Sequence, residues 1–280
     1  MTPATLRPGV ELAPYRVTAH AAEEVVENKI HEDGLARTYG FRGGLVPGVV
    51  VYAWMTQPVI EAVGLDWIER GGFSTRFLKP VYYGEPATVR ATVAERRGDG
   101  LTIEARTLDQ AGQVCGVATF TLGEGPGPAA PDPGAYPAAA LPADRPLVSR
   151  EVLAGRTVLG SPSTLVDRAV ADAFLAKVGD RLPLYQGAGA LVHPGFYLDQ
   201  ANKALSQNVR VSPWVHVESE GRHFGAARVG ERVDTRGRVA RLYDKKGHEF
   251  VELDLLLLAE GARPVARVRH VAIYRLRPPA

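Results

Sequence analysis

Two stretches of the chain hold residues able to move protons. In "NKIHEDGLARTYGFRGGLVPG", His31 lies ahead of a glycine-rich turn that ends at Gly48. From "GDRLPLY" to "HPGFYLDQAN" come Asp180, Tyr185, His193, Gly195, Asp199 and Asn202. A histidine with a carboxylate forms a general acid–base pair. A helix that starts at a glycine offers unpaired N–H groups to a developing negative oxygen. The open question for His31 is which residue serves as its acid.

Each candidate also has an ordinary reading. His31 precedes "EDG" and suits a polar loop, and Asp180 after Gly179 suits a turn. His193 stands just before a Pro-Gly helix start, where a histidine can simply cap or pack. Asp199 suits a solvated helix face. Gly48 and Gly195 suit a helix start with or without a ligand. Asn202 and Asn208 suit either a pocket wall or solvent. His216, His223, His248 and His270 have no ligand spacing and read as structural or exposed. Trp54, Trp67, Tyr82 and Tyr83 read as core or interface aromatics. No metal constellation or phosphate loop is visible, so no cofactor is expected.

The elements that position these residues come in two copies. "GGLVPG" from Gly43 and "GALVHPG" from Gly189 are 146 residues apart. "RFLKPVYYGEPATVRATV" from Arg76 and "RHFGAARVGERVDTRGRV" from Arg222 keep the same offset of 146, matching Gly84 to Gly230 and Glu85 to Glu231. A shared offset marks a diverged tandem duplication. In each copy a helix follows the turn. "PGVVVYAWMTQPVIEAVG" is apolar nearly all round, the pattern of a helix buried on every side. Tyr197, Leu198, Ala201, Ala204 and Leu205 recur at helical spacing in the second copy. Pro47 and Pro194 suit a first helical turn. Alternating strands follow: Ala87, Val89, Ala91 and Val93 face one way, and "GDG", "QAG" and "DKKG" supply turns. Four or five antiparallel strands per copy, curved around one helix, satisfy this pattern. Between the copies, "GEGPGPAAPDPGAYPAAALPADRP" reads as an extended linker. The expected units are residues 1–123 and 147–280, joined by 124–146.

Composition excludes several classes. The chain of 280 residues is 45% hydrophobic and 23% charged, which is ordinary for a globular protein. Net charge is +2 with no basic block, so nucleic acid is not an expected partner. A single cysteine, Cys115, permits no internal disulfide and suits a small core residue. No segment reaches the ~20 apolar residues of a membrane span, and the N-terminus lacks a signal-peptide layout. A cytoplasmic protein is expected.

This order of motifs resembles the hot-dog fold, and more closely the MaoC-like (R)-specific enoyl-thioester hydratases and dehydratases in a double hot-dog arrangement. The resemblance implies an α+β chain whose halves each wrap an antiparallel sheet around a central helix. It implies an acyl-thioester substrate bound to CoA or to a carrier protein. The family's chemistry sits in a pattern like G-D-x-N-P-[IL]-H, whose Asp and His act on the α and β carbons through water. Both residues come from one unit. Here the pair is split. The first copy has Asn28 and His31, with Val26 and Lys29 at the Asp and Pro positions. The second has Gly179, Asp180 and Pro183, with Leu182 and Tyr185 at the Asn and His positions. The related FabA/FabZ-like and polyketide-synthase dehydratases pair a His of one unit with an acid on the other unit's helix. "HPGFYLDQAN" looks like their "HPxLLD", with Asp199 one residue late, a rotation of about 100°. Two constellations follow: His31 facing Asp199, or Asp180 with His193 or Tyr185. The helix starts at Gly48 and Gly195, with Tyr185 and Asn202, are the expected substrate contacts. The leading function is reversible hydration of a 2-enoyl thioester or dehydration of a 3-hydroxyacyl thioester. The alternatives are thioester hydrolysis and a degenerate hot-dog that only binds acyl groups. A tandem chain pairs its own halves, so a monomer or a homodimer is expected.

Overall fold

The computed structural model describes residues 6–20 and 27–277. Val26, the position matched to the family's Asp, lies outside the described residues.

Among the described residues ten strands form one antiparallel sheet: β1 (Tyr15–Thr18), β2 (Gly72–Phe77), β3 (Pro86–Arg97), β4 (Gly100–Leu108), β5 (Val114–Leu122), β6 (Ser163–Leu165), β7 (Val215–His223), β8 (Arg232–Lys245), β9 (His248–Ala259) and β10 (Arg263–Arg275). Their order is β1-β3-β4-β5-β2-β7-β10-β9-β8-β6. The first five strands of the row precede residue 123 and the last five follow residue 147. Within the sheet, among the described residues, the halves are joined by the pairing of β2 with β7, with Thr75 opposite Ser219 and Arg76 opposite Glu218. Strand alternation sets the inner face, so Ala87, Val89, Ala91 and Val93 are all buried. Cys115 is buried in β5.

Among the described residues six α-helices complete the fold: α1 (Asp33–Thr38), α2 (Gly48–Val63), α3 (Leu65–Arg70), α4 (Arg150–Ala154), α5 (Arg168–Val178) and α6 (Pro194–Ser206). α2 is the central helix of the first half. Every residue from Val49 to Thr56 is buried, as its lack of a polar face requires. It packs against β3, β4 and β5 on one side and against α6 and α5 on the other. Trp54 Nε1 donates to the Val178 carbonyl at 2.9 Å, which ties α2 to the end of α5. α6 buries Tyr197, Leu198, Ala201, Ala204 and Leu205, the residues at helical spacing in the sequence.

Residues 124–146 contain one 3-10 turn, Pro133–Ala135, and no strand. They are strapped to the outer face of the sheet. Tyr136 packs on Leu256 and Leu258 and donates to Asp254 at 3.0 Å. Arg238 and Arg267 hold the same carboxylate at 2.7 and 3.0 Å.

The seam encloses His223. Its ring lies 4.9 Å from Trp67, 5.6 Å from Phe73 and 5.8 Å from Tyr197, and neither ring nitrogen has a partner. Burial, then the charge of Arg222, pushes its pKa down to about 3. Burial takes His270 down to about 3 as well. The unfolded chain binds protons below pH 6.5, while these two native rings do so only near pH 3. Stability is therefore complete above pH 6.5 and falls as pH drops from there toward 3. At pH 5 each ring is expected to cost about 2 kcal/mol relative to pH 7.5. Urea unfolding across this range should show the decline, and His223→Phe should flatten it while retaining stability at pH 7.5. An unchanged slope in the variant would contradict this account.

Candidate functional site

The first site is built around a 3-10 turn, Lys29–His31. Asn28, just before it, is clamped to the backbone of Trp214: its Nδ2 donates to the carbonyl at 2.9 Å and its Oδ1 accepts from the N–H at 3.1 Å. The Lys29 N–H donates to Ser212 Oγ at 3.0 Å. A first-half loop is thereby fastened to the second half. His31 Nδ1 lies 2.7 Å from the Leu45 carbonyl. A carbonyl only accepts, so Nδ1 carries the proton and Nε2 is a bare acceptor. Asn28 Nδ2 donates to Nε2 in a long hydrogen bond of 3.4 Å. Burial is the main reason the His31 pKa falls to about 4, and the ring is neutral at pH 7.

The glycines now have specific reasons. A Cβ on Gly44 would sit 2.2 Å from the His31 carbonyl oxygen, so only glycine lets the turn close under His31. A Cβ on Gly48 would meet Phe77 at 2.8 Å and His216 Nδ1 at 3.1 Å. α2 starts at Gly48 with no side-chain cap. Val50 and Val51 both donate to the Pro47 carbonyl. The Gly48 N–H is left without an acceptor among the described residues.

His31 and Gly48 line one cavity of about 180 Å³. Its walls are mostly apolar, with Val46, Val51, Phe77, Val81 and Trp214 among them. Its polar side chains are Asn28, His31, Lys79, Asn202 and His216, and the Gly48 backbone also lines it. Asn202 Oδ1 and His216 Nδ1 are buried without partners.

The corresponding place in the second half is closed. At the offset of 146, the Pro47 cap of α2 corresponds to His193, the cap of α6. His193 Nδ1 accepts the Gly195 N–H at 2.9 Å, so Nε2 bears the ring proton and donates to Asp180 Oδ2 at 3.2 Å. Asp180 Oδ1 accepts from the Leu182 N–H at 2.9 Å. The pair's side chains are only 1% and 2% exposed. Tyr185 and Phe174 lie 4.7 and 5.5 Å from the imidazole. A Cβ on Gly195 would come within 2.9 Å of Ala53 Cβ, so this glycine lets α6 approach α2 closely.

The structure thus brings His31, Gly48 and Asn202 to one cavity. It brings Asp180, His193 and Tyr185 together elsewhere, in a sealed cluster. Gly195 does not offer a free N–H to a ligand, because His193 occupies it. Asp199 is not among the residues lining the cavity; its carboxylate is paired with Lys177 and Lys203 at 3.2 and 3.7 Å. Sequence reasoning passed over Trp214 and His216. His216, read as structural or exposed, is buried on the cavity wall. The available signal was a polar residue on the inward parity of the strand "WVHVESEGRH".

No protein-family profile matches the chain, and no curated protein sequence matches it. Solved structures do. A conserved hypothetical protein from Mycobacterium tuberculosis, described as having a double hotdog fold, matches with TM-score 0.67 at 15% identity, covering 98% of each chain. A protein from Chloroflexus aurantiacus, described as a MaoC domain dehydratase, matches with TM-score 0.64 at 12% identity, covering 99% of this chain and 98% of that one. The chain has the double hot-dog fold. A protein from Novosphingobium aromaticivorans described as a thioesterase also shares the fold, with TM-score 0.54 at 14% identity over 94% of this chain and 96% of that one. In this double hot-dog the two helix starts differ: one is capped and sealed, the other open to a cavity.

The sealed pair makes a stability prediction. His193→Ala removes a cap and leaves a buried carboxylate without its donor, which should cost about 3–5 kcal/mol. Asp180→Asn turns an amide donor toward a ring N–H donor and should also destabilise. Equilibrium unfolding of both variants measures this, and native stability in either would refute the pairing as drawn.

Proposed function

We propose that this double hot-dog acts on an acyl thioester in the first-half cavity, and that its reaction is reversible hydration of a 2-enoyl thioester or dehydration of a 3-hydroxyacyl thioester. One observation carries the reading. His31 Nε2, an acceptor on a neutral ring, shares an apolar cavity with the uncapped start of α2. In this reading the Gly48 N–H takes the thioester carbonyl oxygen, which draws electrons from the β carbon. His31 Nε2 takes a proton from water as the oxygen adds to the β carbon, then returns it to the α carbon on the same face. One base performs both transfers, and the atoms balance without a second carboxylate. The fold shared with described dehydratases supports the reading by analogy. The acyl group enters the cavity while the CoA or carrier-protein arm stays outside.

A second reading is hydrolysis of the thioester, supported by the fold shared with a protein described as a thioesterase. His31 then takes the proton of a water that adds to the carbonyl carbon, and the departing thiolate receives it.

Crotonyl-CoA and 3-hydroxybutyryl-CoA separate the two. Loss or gain of enoyl absorbance without free thiol is expected for the wild type, and thiol release would replace the first reading by the second. His31→Gln should lower kcat by about 10²–10⁴-fold. Because the ring ionises near pH 4, the acidic limb of kcat/KM should lie near pH 4, below the ordinary histidine range. No turnover by the wild type with acyl-CoA binding intact would leave a binding protein and sink both enzymatic readings.

A further inference from the structure

His216 stands at the start of β7 and lines the same cavity as Gly48 and His31. Its ring is fixed on two sides. Phe77 meets it edge-on at 4.8 Å, and His270 lies 4.1 Å away on another face. Its Nε2 is 2.8 Å from Ser219 Oγ, which is 2.9 Å from His270 Nδ1. His216 Nδ1 and His270 Nε2, the two ends of this chain, have no partners. Nδ1 points toward the start of α2, 3.1 Å from where a Cβ on Gly48 would stand.

The serine hydroxyl has one proton, so the chain has two tautomeric arrangements. In one, His216 Nε2–H donates to Ser219, which donates to His270, leaving a His270 Nε2–H with no acceptor. In the other, His270 Nδ1–H donates to Ser219, which donates to His216 Nε2. His216 Nδ1 then carries its proton at the cavity wall, and the unpaired atom at His270 is only a lone pair. Burying a donor without an acceptor is costly. Each arrangement leaves one buried N–H without an acceptor; in the second it is the His216 Nδ1–H beside the start of α2, where a ligand in the cavity would supply the acceptor.

We propose that His216 Nδ1–H is a second donor, beside the Gly48 N–H, to the carbonyl oxygen of the bound thioester. The inference rests on the thioester reading above and extends it to a residue of the other half of the chain. His216 gives up no proton in this role. A neutral imidazole N–H strengthens its hydrogen bond as negative charge grows on the oxygen and relaxes when it leaves. The site would then take its base, His31, from one half and one of its two oxyanion donors from the other.

Two substitutions separate the ring's atoms. His216→Gln keeps an amide near Nε2 for Ser219 and removes the donor at Nδ1. His216→Asn restores an amide nitrogen near Nδ1. With crotonyl-CoA carrying a ¹³C label at the thioester carbonyl, the infrared band of the wild-type complex should lie below that of the free ligand. His216→Gln should move it back toward the free value and lower kcat by about 10²-fold. His216→Asn should recover part of both. In the unmutated protein, ¹⁵N-labelled histidine gives a reading that needs no variant: His216 Nδ1 should be protonated and should shift when crotonyl-CoA binds. A bound complex with an unprotonated, unresponsive Nδ1, or an unchanged carbonyl band in folded His216→Gln, overturns this inference and leaves the thioester reading standing. Failure of crotonyl-CoA to bind the wild type overturns both.

Discussion

A helix without a polar face must be covered on all sides, and α2 imposes that requirement on the whole molecule. The first half of the sheet covers part of it. The remainder is covered by α5 and α6 from the second half, and Trp54 is held by the Val178 carbonyl across that boundary. The β2–β7 pairing and the packing of α2 on α6 therefore form one contact, and neither half presents a complete core alone. Roughly 1.5–3 kcal/mol per large buried side chain makes this coverage the main stabilising contribution at the boundary.

Close coverage also explains why the two halves differ in chemistry. α6 approaches α2 through Gly195, and His193 caps the N–H that a ligand would otherwise take. That closed start keeps Asp180 and His193 as a buried structural pair. At α2 the cap position is Pro47, which has no side-chain acceptor, and the helix start remains open toward the cavity. The loop carrying His31 is held over this cavity by Asn28 and Lys29, bonded to Trp214 and Ser212 of the other half. The open site is thus assembled from both copies although its base and helix belong to the first.

Much of the fold was legible. The offset of 146 gave the repeat, alternation gave the strands, and the all-apolar run gave α2 as a buried helix. The site was legible only in part. His31, Gly48 and Asn202 were singled out and share a cavity, but the family-like "GDRLPLY" and "HPG" drew attention to Asp180 and His193. Those residues do meet, at 3.2 Å, and a motif cannot say whether a pair that meets is open or sealed. Asp199 was attractive for its spacing, yet it is paired with two lysines and does not line the cavity. His216 carried no spacing signal, because its neighbours Gly48 and Phe77 lie far away in the chain.

The sequence by itself determined the elements: hydrophobic periodicity fixes which residues turn inward, and Pro-Gly turns fix where helices start. Which helix start is accessible was decided only by tertiary structure. That outcome depends on the distance between α2 and α6, on a cap formed by His193, and on the clamp between Asn28 and Trp214. These are contacts between residues distant in the chain, and local pattern carries no information about whether such contacts leave space.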